Sequence, residues 1–342
     1  TLGDATTDVL LFDGGVHTGR SASTPAITPV FGTVRTSGDG LALGPVTLDG
    51  SSMLDTTNAN ADTEGAALNL TTIAAGGATL VLDSGTSGTI RVTGAVDELT
   101  ELTIRQSDGV TFQGPFGMVT PGAVTIEDTT DGQTVAFQGD TSITRLTTTS
   151  AGYDLSFTGS QTTITETVRY LNTGQVTLGD ATTDVLLFDG GVHTAGSASN
   201  PSMTHIFATV RTSGDTLELS PVTLAGNSIL DATNADENPV GAAIDLTSIS
   251  GGGATLVVNS GTGAAISVSG AVDGLTELTI RQSNGATFQS PFGTDMPGAV
   301  TINDTTDGQA VAFQGDTAIT ILTTTSEGYD VSFTGSQTTI TE

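Results

Sequence analysis

Residues 1–18, TLGDATTDVLLFDGGVHT, return letter for letter at 177–194, and the 176-residue offset then holds without a gap to the last residue. Between 1–166 and 177–342, 121 of 166 aligned positions are identical. A chain that copies itself at this length must use an architecture that accepts copies in series. The repeats divide it into 1–176, which includes a connecting segment at 167–176, and 177–342, which is shorter by that segment. Differences between copies cluster at 20–29, 58–64 and 118–120, which read as loop tips. Thr1 follows no Met, and Glu342 stops where TVRYLNTGQV (167–176) would begin again. The expectation is a window on a longer polymer, either one continuing chain or identical subunits joined head to tail.

A finer rhythm runs inside each copy. DGQTVAFQGD (131–140), AGYDLSFTGS (151–160) and TTDVLLFDGG (182–191) share a turn, an alternating strand and a closing Phe-x-Gly-polar. Strands are predicted at 123–126, 135–137, 143–146, 155–157 and 177–178, separated by Gly, Asp, Ser and Asn. Alternation of Val, Leu, Ile or Phe with Thr or Ser is the half-buried strand pattern. Only 95–102, AVDELTEL, has helical spacing, and its second copy puts Gly274 where Glu98 stands.

Short strands between turns suit β-sandwiches or a parallel β-solenoid. The chain has no Trp and three Tyr, and no period near 90 residues, so it lacks the aromatic anchors and domain length of a sandwich string. A solenoid needs neither, because small apolar side chains stack coil on coil in a narrow core. The 66 Thr suit outward strand faces, and the 45 Gly suit corners where φ turns positive. The predicted fold class is therefore all-β, a parallel β-solenoid built from tandem 176-residue repeats. Coils of roughly 20–30 residues would place roughly six to eight in each period. Phe12, Phe112, Phe116, Phe137 and Phe157, with Phe188, Phe288, Phe292, Phe313 and Phe333, are the expected core rings.

VTLGDATTDVLLFDGG (176–191), AVTIEDTTDGQTVAFQGD (123–140) and LTTTSAGYDLSFTGS (146–160) resemble the repeats of large secreted bacterial exoproteins of the filamentous-haemagglutinin and autotransporter type. The resemblance is one of style over the whole chain. It implies a β-helical rod at the cell surface, used as an adhesin, a surface layer or a matrix fibre.

Charge removes several function classes. The eight basic residues are all Arg and stand against 37 acids, a formal charge of -29. Nucleic acid and anionic membrane surfaces both need the basic face that this chain lacks. Without Cys there is neither a disulfide framework nor a thiolate zinc site.

Acidic turns are the candidate metal sites. Asp4, Asp8, Asp128 and Asp131, with their equivalents Asp180, Asp184, Asp304 and Asp307, offer hard oxygen ligands of the kind calcium takes. The competing reading is that each Asp caps its own turn. No stretch follows an EF-hand or a Gly-Gly-x-Gly-x-Asp calcium repeat. Arg35 and Arg211 in VRTSGD, and Arg105 and Arg281 in LTIRQS, each have acids nearby, with Asp39 the nearest choice for Arg35. Such pairs would serve a glycan-cleaving enzyme or a plain inter-coil ion pair. Arg20, Arg91 and Arg145 are not shared by the second copy. His17, His193 and His205 have no paired spacing and read as surface residues. There is no Gly-x-Ser-x-Gly elbow, and no catalytic residue is assigned.

The expected function is a structural repeat of a bacterial extracellular filament, sheath or surface layer. Its partners would be further copies of itself and surface glycans, with no membrane insertion. The alternatives are the stalk of a secreted adhesin and a glycan-active β-helix enzyme.

Overall fold

Alternating apolar and Thr or Ser residues give every strand a dry face and a wet face, and stacking such strands in parallel closes the dry faces into a core. The computed structural model describes residues 1–18, 27–194 and 200–342, and these hold strands, turns and bends with no helix. The chain divides into two units, Thr1–Thr162 with Leu171–Gly174, and Thr163–Tyr170 with Gln175–Glu342. Each is a parallel β-solenoid, and together they count about 14 turns. The division runs through the connecting segment 167–176, with Leu171–Gly174 in the first unit and the rest in the second. Arg20 lies outside the described residues.

In the first unit a coil has three sides. Glu101–Gln106 and Val110–Phe112 form two, and Phe116 bridges on the third before Gly122–Ile126 opens the next coil. Glu101 then pairs with Ala123 and Val110 with Val135, all in parallel. The second unit repeats the plan. Ile266–Val268, Val272–Asp273 and Glu277–Gln282 make one coil, and Ala286–Phe288 returns to pair with the first of them. Coil length varies while the strand register is kept. A short coil separates Thr204 from its partner Val222, and a much longer one separates Ser52 from Leu80.

The parallel register puts like on like. One inward column in the first unit runs Leu43, Leu70, Val92, Phe112, Phe137 and Phe157, each at most 2% exposed. Coil spacing near 4.8 Å sets the ring stacking. Phe112 lies 5.0 Å from Phe137, and Phe137 lies 5.0 Å from Phe157 at 10° between planes. Phe116 meets Phe112 and Phe137 edge-on at 5.2 and 5.3 Å. The second unit repeats this with Phe288, Phe313 and Phe333 stacked and Phe292 edge-on. Phe12 and Phe333 are half-buried, because each has a coil on one side only.

The Phe-x-Gly motif has a steric cause. After each stacked Phe the chain turns a corner directly on the corner below. A Cβ on Gly159 would stand 2.2 Å from the Gly139 carbonyl oxygen, and one on Gly139 would stand 2.4 Å from the Gly114 backbone. The helical spacing at 95–102 also resolves into a corner. Val96–Asp97 and the start of Glu101–Gln106 are strands, joined through Glu98 at φ 60°. Gly274 takes φ 71° at the same place, so the Glu98/Gly274 exchange marks a left-handed corner, where glycine carries no Cβ penalty.

Replacing Phe137 by Ala removes the middle ring of the stack. The expected cost is about 3–5 kcal/mol. Hydrogen exchange should show the loss concentrated in strands Val110–Phe112 and Asp154–Phe157, which adjoin it.

Candidate functional site

The acidic turns are hydrogen-bonded from within. Asp8 Oδ2 accepts the backbone N–H groups of Asp4 (2.9 Å) and Ala5 (3.2 Å), and Asp184 Oδ2 does the same for Asp180 (2.9 Å) and Ala181 (3.0 Å). The backbone and side chain of Asp4 draw the Asp8 carboxyl below its usual range by hydrogen bonding. Burial, and then the charge of Asp184, push the Asp180 carboxyl up. Asp128 Oδ1 accepts the N–H of Thr129 at 2.9 Å. Asp131 and Asp307 reach one coil on, accepting from Gly152 at 2.9 Å and Gly328 at 3.1 Å. Asp304 shows no counterpart of the Asp128–Thr129 bond among the described residues. Among the same residues no three His, Asp or Glu side chains converge as a metal cage.

Arg35, Arg105 and Arg211 are engaged across coils, whereas Arg281 forms no ion pair among the described residues. Arg35 pairs with Asp55 at 3.0 Å and not with Asp39, because Arg35 and Asp55 are register partners on adjacent strands. Asp55 is fully buried and carries an unusual load. It also accepts from Thr57 N (2.7 Å), Thr57 Oγ1 (2.6 Å) and Ala59 N (2.8 Å). These bonds hold Asn58, Ala59 and Asn60 in three consecutive left-handed conformations, φ 51°, 57° and 64°. Such a run costs about 1–2 kcal/mol per residue and persists only where its surroundings impose it. Asp231 holds Asn234, Ala235 and Asp236 in the same way, with Arg211 at 3.6 Å.

Beside this turn the two copies exchange a charge. In the first, Asp83 stands next to Asp55 in register, 3.8 Å from Arg105, which also lies 3.9 Å from Glu127. In the second, Asn259 and Asn303 replace Asp83 and Glu127. Asn259 Nδ2 donates to Thr233 Oγ1 (3.0 Å) and Asp236 Oδ1 (3.2 Å). The carboxylate and amide have traded places, Asn60 with Asp83 in one copy and Asp236 with Asn259 in the other. Burial, then the neighbouring charge of Asp55, push the Asp83 carboxyl up.

Two equivalent outward columns, one in each unit, are not evident in the sequence. On successive coils the first unit presents His17, Ala42, Asn69, Arg91 and Thr111, and the second Arg169, His193, Glu218, Asp245, Ser267 and Thr287. His193 Nδ1 meets Glu218 Oε2 at 2.8 Å, and His205 Nε2 meets Gln175 Oε1 at 2.9 Å. Burial, then Glu218, push the Asp245 carboxyl up. Arg91 Nη2 donates to Gln113 Oε1 at 2.9 Å and borders a shallow cleft of about 340 Å³ that also touches Asp108 and Gln133. The available signal was three positions that differ between copies, 42, 69 and 91, each one coil from the next.

Comparison with protein-family models, with curated proteins and with solved structures returns no match.

Two outcomes follow from the acids. Because its folded-state carboxyl is raised, ionised Asp83 is carried at a cost at neutral pH, and that cost fades as pH falls through the raised value. Asp83→Asn should therefore stabilise the fold at neutral pH by about 1 kcal/mol, read as a higher melting temperature. The gain should shrink in mildly acidic buffer. For the Asp4, Asp8, Asp128 and Asp131 turns and their copies, melting in EDTA and in millimolar calcium should coincide, since internal N–H groups already engage most of these carboxylates.

Proposed function

We propose that this chain is a length of bacterial extracellular structural material, a β-solenoid whose coils stack on further coils of the same sequence to form a filament, sheath or surface layer. The observation that carries this reading is that near-identical copies build the same coils in series. Phe288, Phe313 and Phe333 stack as Phe112, Phe137 and Phe157 do. Near-identical copies in one register supply matching sides for further coils without limit. Unpaired strand edges are otherwise sites of uncontrolled pairing.

Composition supports the same use. Chains without Lys or Cys offer few targets to trypsin-like proteases and to oxidants, and a formal charge of -29 keeps neighbouring assemblies in solution. The likeness of the repeats to filamentous-haemagglutinin and autotransporter exoproteins points to the cell surface. Three of the four shared arginines favour a structural role over glycan cleavage, because Arg35, Arg105 and Arg211 each meet an inter-coil carboxylate, while Arg281 forms no ion pair among the described residues.

Negative-stain microscopy of the purified chain tests the reading. Expected are filaments with an axial repeat of about 34–38 Å per 176-residue period, the advance of roughly seven to eight coils near 4.8 Å each. Discrete particles bearing a distinct head would instead make the chain an adhesin stalk. Release of reducing or unsaturated sugars from a glycan panel, lost in Arg105→Ala, would overturn both.

A further inference from the structure

The two copies differ in charge along equivalent outward columns, one in each copy. Where the first presents Ala42, Asn69 and Arg91 on successive coils, the second presents Glu218, Asp245 and Ser267. Three consecutive register positions thus change from one positive charge to two negative ones, within copies identical at 121 of 166 positions. Around them both columns are short and polar, Thr111, Ala136 and Ser156 in one and Thr287, Ala312 and Ser332 in the other. Faces of this kind admit close approach.

Neither Arg91 nor the Glu218–Asp245 pair has a fixed opposite charge directly beside it in its column among the described residues; Arg169, the cation of the second column, stands beyond His193. Glu218 and Asp245 are direct neighbours across parallel strands, and like charges so placed destabilise a sheet. His193 offers Glu218 a cation only when protonated, and Asp245 has no cation beside it among the described residues. Arg91 is exposed, holds the neutral amide of Gln113, and forms no ion pair among the described residues.

We propose that copies of this protein associate side by side, the Arg91 face of the first repeat in one copy seating on the Glu218–Asp245 face of the second repeat in another. The inference rests on the reading of the chain as assembling structural material and adds its lateral partner, a second copy of itself. One guanidinium has the donors to bridge two neighbouring carboxylates. Net charge opposes approach at low salt. At physiological ionic strength the Debye length is about 8 Å, which screens the distant charges more than the contact itself.

The test uses the whole 342-residue chain. Sedimentation velocity and negative-stain imaging at physiological salt would compare wild type, Arg91→Ser, Arg91→Glu, and Arg91→Glu combined with Glu218→Arg and Asp245→Arg. Serine already occupies the equivalent position 267, so Arg91→Ser keeps the coil intact, and circular dichroism checks the others. Expected is side-by-side association in wild type, weakened at least tenfold by Arg91→Ser and Arg91→Glu and recovered in the charge-swapped variant. Wild-type filaments that stay single, single variants that associate like wild type, or a swapped variant that does not recover would each overturn the proposal. Pairs that EDTA dissolves and Arg91→Glu leaves intact would assign the contact to a bridging metal ion and overturn it as well. Loss of the filaments themselves, as opposed to their lateral pairing, would count against the structural reading.

Discussion

Parallel pairing between consecutive coils is the constraint on which everything else in this protein depends. Once Val110 is set on Ile90 and Val135 on Val110, every side chain meets its counterpart one coil away, and each column acquires a single character. Apolar columns gain twice, from burial and from close ring stacking. Columns of charge are penalised in the same proportion, since a like charge always lies one coil away. The arrangement rewards uniform columns inside and alternation or neutrality outside. Arg35, Asp55, Asp83 and Arg105 obey this only in part, and the exchange of Asp83 for Asn259 shows a column being relieved of charge without moving its backbone.

Most of the fold was legible because its pattern is local and repeated. Strands at 123–126, 135–137 and 155–157 appear at or close to their expected bounds, and Phe137 and Phe157 stack, whereas Phe188, the third member of that rhythm, meets Tyr170 edge-on. The stretch 95–102 misled because a tight corner between two short strands mimics helical spacing, and the left-handed backbone of Glu98 leaves no trace in the letters. Gly274 in the second copy was the readable clue. The partner of Arg35 was misjudged for a related reason. Asp39 is close in sequence, but in a solenoid the near neighbour is the residue one coil on, at Asp55.

Sites were harder to read than strands. Acidic turns look alike whether they hold a cation or their own backbone, and only placement distinguishes Asp8, which caps its own turn, from Asp131, which ties one coil to the next. The column that carries Arg91 and its counterpart that carries Glu218 and Asp245 were hard to read for the opposite reason. Within each, neighbours stand a full coil apart along the chain and become a face only when the register is known.

The left-handed turn pinned by Asp55 has a consequence for how the protein tolerates change. Between its pinned entry and the next strand the chain leaves the coil and returns, and five of the seven residues at 58–64 differ from those at 234–240 while the flanking strands keep their register. The solenoid has thereby already accepted two different inserts at one address. A buried carboxylate that fixes the departure of the chain leaves the excursion free to vary, and makes this corner a natural port for displaying foreign peptides at regular intervals along the repeat.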